Sequence, residues 1–383
     1  MQDKVIRDAQ PGWILQSGQV ELFVTELGGH MAPVTFCRDT SNPFQPYWIS
    51  PWQNEDIVID EPVLVPLRGD FFCMPFGANE EPYQGEKHNL HGETPGGTWR
   101  FVSLEEDARI SSLQLDINTT VRQGHVTKKI SLVDGQNVLY ISHRIDGFSG
   151  KTPLGHHATL AVPETEGSLK VSVSPFDLGM TSPSVIGDPA ERAYQSLAIG
   201  AEFTSLEEVP LLWKDPAVGD CSSYPQRKGF TDVLALYRKA TSTPAWTTAV
   251  NTEEGYLWYA LKDSGRLPCT TIWISNGGLH DVPWSGHNRC LGLEETCSFF
   301  ADGLVPSAEA NLVNEKGIAT HVTLTADSPT VINMIQGVVN IPPNFDRVTD
   351  VSFQEGSVIF TSESGEKVTA EVNTDFIQSG RIQ

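Results

Sequence analysis

Four stretches of this chain carry side chains able to move protons or grip a polar ligand. "LRGDFFCMPFGAN" sets Arg68 among apolar and aromatic residues. A guanidinium there either forks two hydrogen bonds to vicinal acceptors in a cavity or is a surface arginine beside a core strand. "HNLHGETPGGTW" holds His88 and His91 ahead of a glycine-rich turn and Trp99. On a strand that odd spacing sends the two imidazoles to opposite faces, so a metal shared by them would need a turn between them. "PLGHHATLAVP" holds His156 and His157. Adjacent strand positions face opposite ways, so at most one of them serves a given cavity. "NRCLGLEETCSFF" places Glu294 and Glu295 inside a run that otherwise reads as a buried strand. Alternation turns one carboxylate inward, where burial raises its pKa and suits it to general-base work; the competing reading is a solvated loop.

These groups need a scaffold, and the dominant pattern along the chain is the two-residue alternation of half-buried strands. "VELFVTEL" is one instance, and "KKISLVDGQNVLYISHRI" predicts a hairpin around Asp134-Gly135. "DVSFQEGSVIFTSESGEKVTAEV" predicts three short strands near the end of the chain. Helix is scarce, and "GFTDVLALYRKA" is the best helical candidate, with Thr231 or Asp232 available as a cap. The long segments "PFDLGMTSPSVIGDPAERAY" and "PLLWKDPAVGDCSSYPQRKGF" read as loops, either functional or decorative. No fixed-period repeat or low-complexity linker divides the chain. The expectation is an all-β protein: one large antiparallel β-sandwich with little helix, residues 1–383 forming a single domain.

A hydrophobic fraction of 39% supports a sizeable core. The formal charge of −22 repels nucleic acid and anionic membrane, so neither is expected as a main partner. The opening "MQDKVIRDAQPGW" is charged where a signal peptide would be apolar, and no stretch approaches the roughly 18 apolar residues of a membrane span, so a soluble, cytoplasmic protein is expected. The six cysteines lack a CxxC pair and read as reduced core residues.

Taken in order, the four segments resemble the galactose mutarotase-like (aldose 1-epimerase) superfamily. "NLHGETPGGTW" is similar to its "LHG…W" signature, and "GLEET" to the late "CLE" segment that supplies the general base. "HHATLAVP" resembles the strand that supplies the general acid, with His157 in that position. "RGDFFCMPFG" looks closer to the hexose-phosphate epimerase-like branch. The resemblance covers about residues 18 to 340 and implies the family's β-supersandwich. It implies an isomerase that interconverts the α and β anomers of a sugar or sugar phosphate. Glu294 would be the base, His157 the acid, and His91 and Arg68 binders of sugar oxygens. No metal or other cofactor is implied, and the partner is a small-molecule carbohydrate. His156 and Glu295 are expected on the far side of their strands in packing or solvated roles. Asp220 and Asp232 are the candidates for a sugar-binding aspartate. The alternative is a non-catalytic carbohydrate-binding or sugar-sensing protein on the same fold. A metal-dependent, cupin-like reading ranks last, because the HxH…E…H spacing is missing.

Overall fold

The computed structural model describes residues 3–382. Strand occupies 47% of the chain and helix 6%, as the alternation predicts. Five strands concern the site: β1 (Asp70–Cys73), β2 (Leu154–Ala161), β3 (Phe230–Tyr237), β4 (Cys269–Asn276) and β5 (Arg289–Cys297). They lie side by side in the order β1-β2-β5-β4-β3, every pair antiparallel, inside an eleven-stranded sheet. Four N-terminal strands between Val5 and Thr35 extend this sheet beyond β1, and Leu178–Thr181 and Glu202–Phe203 extend it beyond β3.

A nine-stranded sheet packs against one face. At its centre lie Tyr256–Lys262, Thr330–Asn340 and Val138–Asp146. The main core is the layer between the two sheets, where Leu22, Val34, Leu293 and Ile272 meet Leu115, Ile130, Ile141 and Trp258, all fully buried. The Asp134-Gly135 hairpin forms between Gly124–Val133 and Val138–Asp146. The three strands predicted near the end of the chain also form (Val348–Gln354, Ser357–Ser362 and Lys367–Glu371). Together with the short helix Phe376–Ser379 they cover the outer face of the nine-stranded sheet, with Phe360 against Tyr259 at 5.0 Å and Phe376 against Tyr140 at 5.2 Å between ring centroids.

The expected helix "GFTDVLALYRKA" is instead β3, a correction with a clear cause. β3 pairs on both edges, with β4 and with Leu178–Thr181, and seven of its eight residues are buried. A central strand covered on both faces reads as a continuous apolar run, which periodicity cannot separate from a buried helix. All six cysteines are buried and unpaired. Among the described residues no helix is long and apolar enough to cross a membrane.

Candidate active site

Strand register builds the site. His157 on β2 lies directly opposite Phe71 on β1 and Glu294 on β5, and Glu294 lies opposite Thr271 on β4. These four residues form one transverse row on the outer face of the eleven-stranded sheet. The next row, Phe72, His156, Glu295 and Thr270, points the other way, toward the nine-stranded sheet. Phe72 stacks there on His143 of that sheet at 4.0 Å. A one-residue slip would exchange the rows, so burial of both faces pins the register.

On the outer face, His157 Nε2 lies 3.1 Å from Glu294 Oε1. The His157 ring stacks on Phe71 at 4.5 Å and meets Trp273 edge-on at 5.9 Å. Its Nδ1 is within hydrogen-bond reach of Thr159 Oγ1, at 3.2 Å. Gly292 makes room for the carboxylate, since a Cβ there would stand 2.7 Å from Glu294 Oε1.

His91 reaches the same place from the loop after β1, its ring 5.1 Å from that of His157. This loop is tied to its neighbour by backbone bonds from His91 N to Gly77 O (2.8 Å) and from Met74 N to His91 O (3.1 Å). Asn79 Nδ2 adds bonds to the carbonyls of Pro75, Gly77 and Asn89, each 3.0 Å. Gly92 sits at φ +82°, and a Cβ there would lie 2.1 Å from Met74 O, so this glycine is required. His91 itself adopts φ 60°, a strained backbone held by these contacts. Its Nδ1 accepts from Gly77 N at 3.2 Å, which leaves the proton on Nε2.

The three polar groups open into a cavity of about 180 Å³ whose other walls include Val63, Leu64, Phe71, Trp273 and Trp284. Such a wall sets the protonation states. Burial, with His91 nearby, holds the His157 imidazole well below the usual histidine range. Burial lowers His91 to about 3. Burial, helped by the neighbouring Glu295 charge, pushes the Glu294 carboxyl well above the usual carboxylate range. Both members of the Glu294–His157 pair are therefore biased toward their neutral forms, with one exchangeable proton between them. An acid and a base 3.1 Å apart on the wall of a largely apolar pocket suit proton shuttling on a small polar ligand.

Arg68 does not join the cavity, contrary to the expectation for it. Its guanidinium is fully buried and donates to the carbonyls of Pro66, Arg7 and Asp8 (3.0, 3.2 and 2.8 Å) and to Gln53 Oε1 (2.6 Å). It ties the N-terminal hairpin to the loop before β1 with four of its five N–H groups, and Nη1 also lies 3.9 Å from the Asp8 carboxylate. His88 is not among the residues lining the cavity, and its Nε2 lies 3.1 Å from Glu86. His156 and Glu295 do face the other side, in buried packing roles: His156 Nδ1 is 2.8 Å from Asp70, while Glu295 pairs with Lys262 and accepts from Thr270 Oγ1 at 2.8 Å. Of the two candidate aspartates, Asp232 accepts from Ser196 N, Leu197 N and Ser196 Oγ, which anchors the loop crossing β3. Asp220 caps its own turn through Ser222 N and Oγ. The aromatic residues beside Arg68 do supply a wall, through Phe71, whereas sequence reasoning missed Trp273 and Trp284; both are ordinary core-type residues with no local signal.

No protein-family model and no curated protein matches the chain by sequence. Solved structures do match. A galactose mutarotase-like protein from Clostridium acetobutylicum has TM-score 0.57 at 12% identity, covering 88% of this chain and 98% of its own. A protein from Escherichia coli K12 proposed as an aldose 1-epimerase has TM-score 0.56 at 14% identity, with 86% and 99% coverage. A galactose mutarotase related enzyme from Lactobacillus acidophilus has TM-score 0.52 at 10% identity, with 86% and 97% coverage. The chain therefore has the galactose mutarotase-like fold. At these identities the likeness is one of architecture.

Proposed function

We propose that this protein is an aldose 1-epimerase-like isomerase, interconverting the α and β anomers of a sugar by acid/base ring opening and closure. The observation that carries the reading is the Glu294–His157 contact at 3.1 Å on the wall of a small cavity that His91 shares. In the forward step Glu294, as carboxylate, takes the proton from the C1 hydroxyl while His157, as imidazolium, protonates the ring oxygen. The ring opens to the aldehyde, leaving Glu294 protonated and His157 neutral. After rotation about C1–C2 the two groups reverse roles, and the ring closes on the other face of the carbonyl. The scheme needs one transferable proton and no metal, nucleotide or covalent intermediate. The neutral pair favoured by burial is the state this scheme requires once the ring is open. Sugar hydroxyls donating to Glu294 would stabilise the ion-pair form needed before it opens. His91, neutral with its proton on Nε2, is placed to donate to a sugar oxygen. The proposal takes residues 1–383 as one unit, supported by the packing of the C-terminal sheet on the nine-stranded one.

The test is NMR saturation transfer between anomers over a panel of free and phosphorylated aldoses. Exchange above the buffer rate for at least one sugar supports the proposal. Sugar binding by calorimetry without faster exchange would favour the sugar-sensing alternative.

A further inference from the structure

A second, larger depression lies on the same face of the eleven-stranded sheet, further along β2 and β5. Ala161 pairs with Cys290 as His157 pairs with Glu294, four residues away on each strand. That offset is roughly 13 Å at ~3.3 Å per strand residue. The depression holds about 560 Å³ against about 180 Å³ for the cavity at His157. Ligand clefts usually span roughly 300–1,000 Å³, so the smaller cavity is short of that range and the groove lies within it. A line of edge-on indoles joins the two: Trp273 to Trp284 at 5.5 Å, Trp284 to Trp52 at 5.0 Å, and Trp52 to Trp48 at 5.8 Å. Trp284 walls the cavity and Trp48 the groove, so one line of aromatic rings borders both.

The polar lining of the groove specifies its ligand. Asn288 is 1% exposed, and its Nδ2 donates to Ser275 Oγ at 2.7 Å. Its Oδ1 is buried without a hydrogen-bond partner. An orphan acceptor on a groove wall calls for a donor. Beside it Arg289 is paired with Glu164, and Lys228 stands on the rim. Acceptors and donors of both charge signs interleave, a poor match for an anion or a cation and a good one for hydroxyls, which donate and accept together. Trp48, Ala161 and Val162 supply an apolar wall for sugar C–H faces.

We propose that this groove is a subsite for the further units of a neutral oligosaccharide whose reducing-end ring enters the cavity at His157. The inference rests on the proposed anomerase reading for what happens at the reducing end, and on the groove's own chemistry for the rest.

The test uses the glucose, maltose, maltotriose and maltotetraose series and its β-1,4-linked cello counterpart. Calorimetric affinity for the full-length protein is expected to rise about tenfold between one unit and four in at least one series, the equivalent of one or two net hydrogen bonds. The ¹⁵N-labelled Asn288 side-chain amide should shift with the tetrasaccharide and stay put with glucose. Asn288→Leu should erase the length dependence, and so should Lys228→Glu, an exposed change that spares the core. A flat dependence in both series overturns the subsite, as does a length dependence that survives both substitutions with no Asn288 shift. Loss of anomer exchange for every sugar, with length-dependent binding intact, sinks the anomerase reading and leaves the subsite standing.

Discussion

Replacing Glu294 by Gln tests the proposed chemistry and the physical state of the site together. The carboxyl is buried, with Oε1 against His157 and Oε2 unpartnered. Gln keeps the shape and can still donate to His157 Nε2, but it cannot exchange a proton. General acid–base steps contribute about 10²–10⁴-fold, so kcat/KM for anomer exchange should fall by at least the lower figure. Binding should change far less, since the amide still hydrogen-bonds a C1 hydroxyl. The same substitution has a stability signature whose sign follows from burial. A carboxyl raised in the folded state stabilises the fold fully only below its ordinary value, and that contribution is lost as pH rises toward the folded-state value. The loss is about 1.4 kcal/mol per pH unit across that window. Gln does not titrate, so the variant should gain on the parent as pH rises. Urea midpoints at pH 5 and pH 8, with exchange rates by NMR, read both effects. Full activity in the variant, or a stability gap that does not widen with pH, would refute the account of Glu294 as a buried, proton-exchanging acid.

Other outcomes follow from the same geometry. The pH profile of kcat/KM should lack a histidine inflection near 6.5. Its acid limb comes from adding a second proton at His157, which burial pushes down, and its alkaline limb from losing the last proton at Glu294, which burial pushes up; a midpoint near 6.5 contradicts this. Lys262→Met should cost about 3–5 kcal/mol in denaturant unfolding, because it leaves Glu295 buried without its partner. An unchanged midpoint would show that the pair is not closed in solution. Arg68→Met should destabilise by about 3 kcal/mol through its lost buried charged hydrogen bonds and leave sugar affinity intact. Weakened sugar binding at unchanged stability would return Arg68 to the sugar.

The division between what was legible in the sequence and what was not follows from the range of the forces involved. Alternation is local, so the all-β class, the Asp134-Gly135 hairpin and the three C-terminal strands could be read from short windows. Alternation also implied that His156 and His157, or Glu294 and Glu295, would part to opposite faces. Which member faces the cavity depends on pairing between residues 86 (Phe71 and His157) and 137 (His157 and Glu294) positions apart. Only the register of Phe71, His157 and Glu294 in one row decides it. β3 escaped the sequence reading because its apolar run reflects two covered faces, and a strand cannot announce its neighbours. Arg68 escaped for a related reason: an arginine in an apolar run looks alike whether it faces a ligand or the carbonyls of Arg7 and Asp8, some sixty residues earlier. The protonation states of His91, His157 and Glu294 belong wholly to the tertiary structure. They arise from removing water around the groups, and the walls that remove it come from two distant parts of the chain, Phe71 from one and Trp273 and Trp284 from the other.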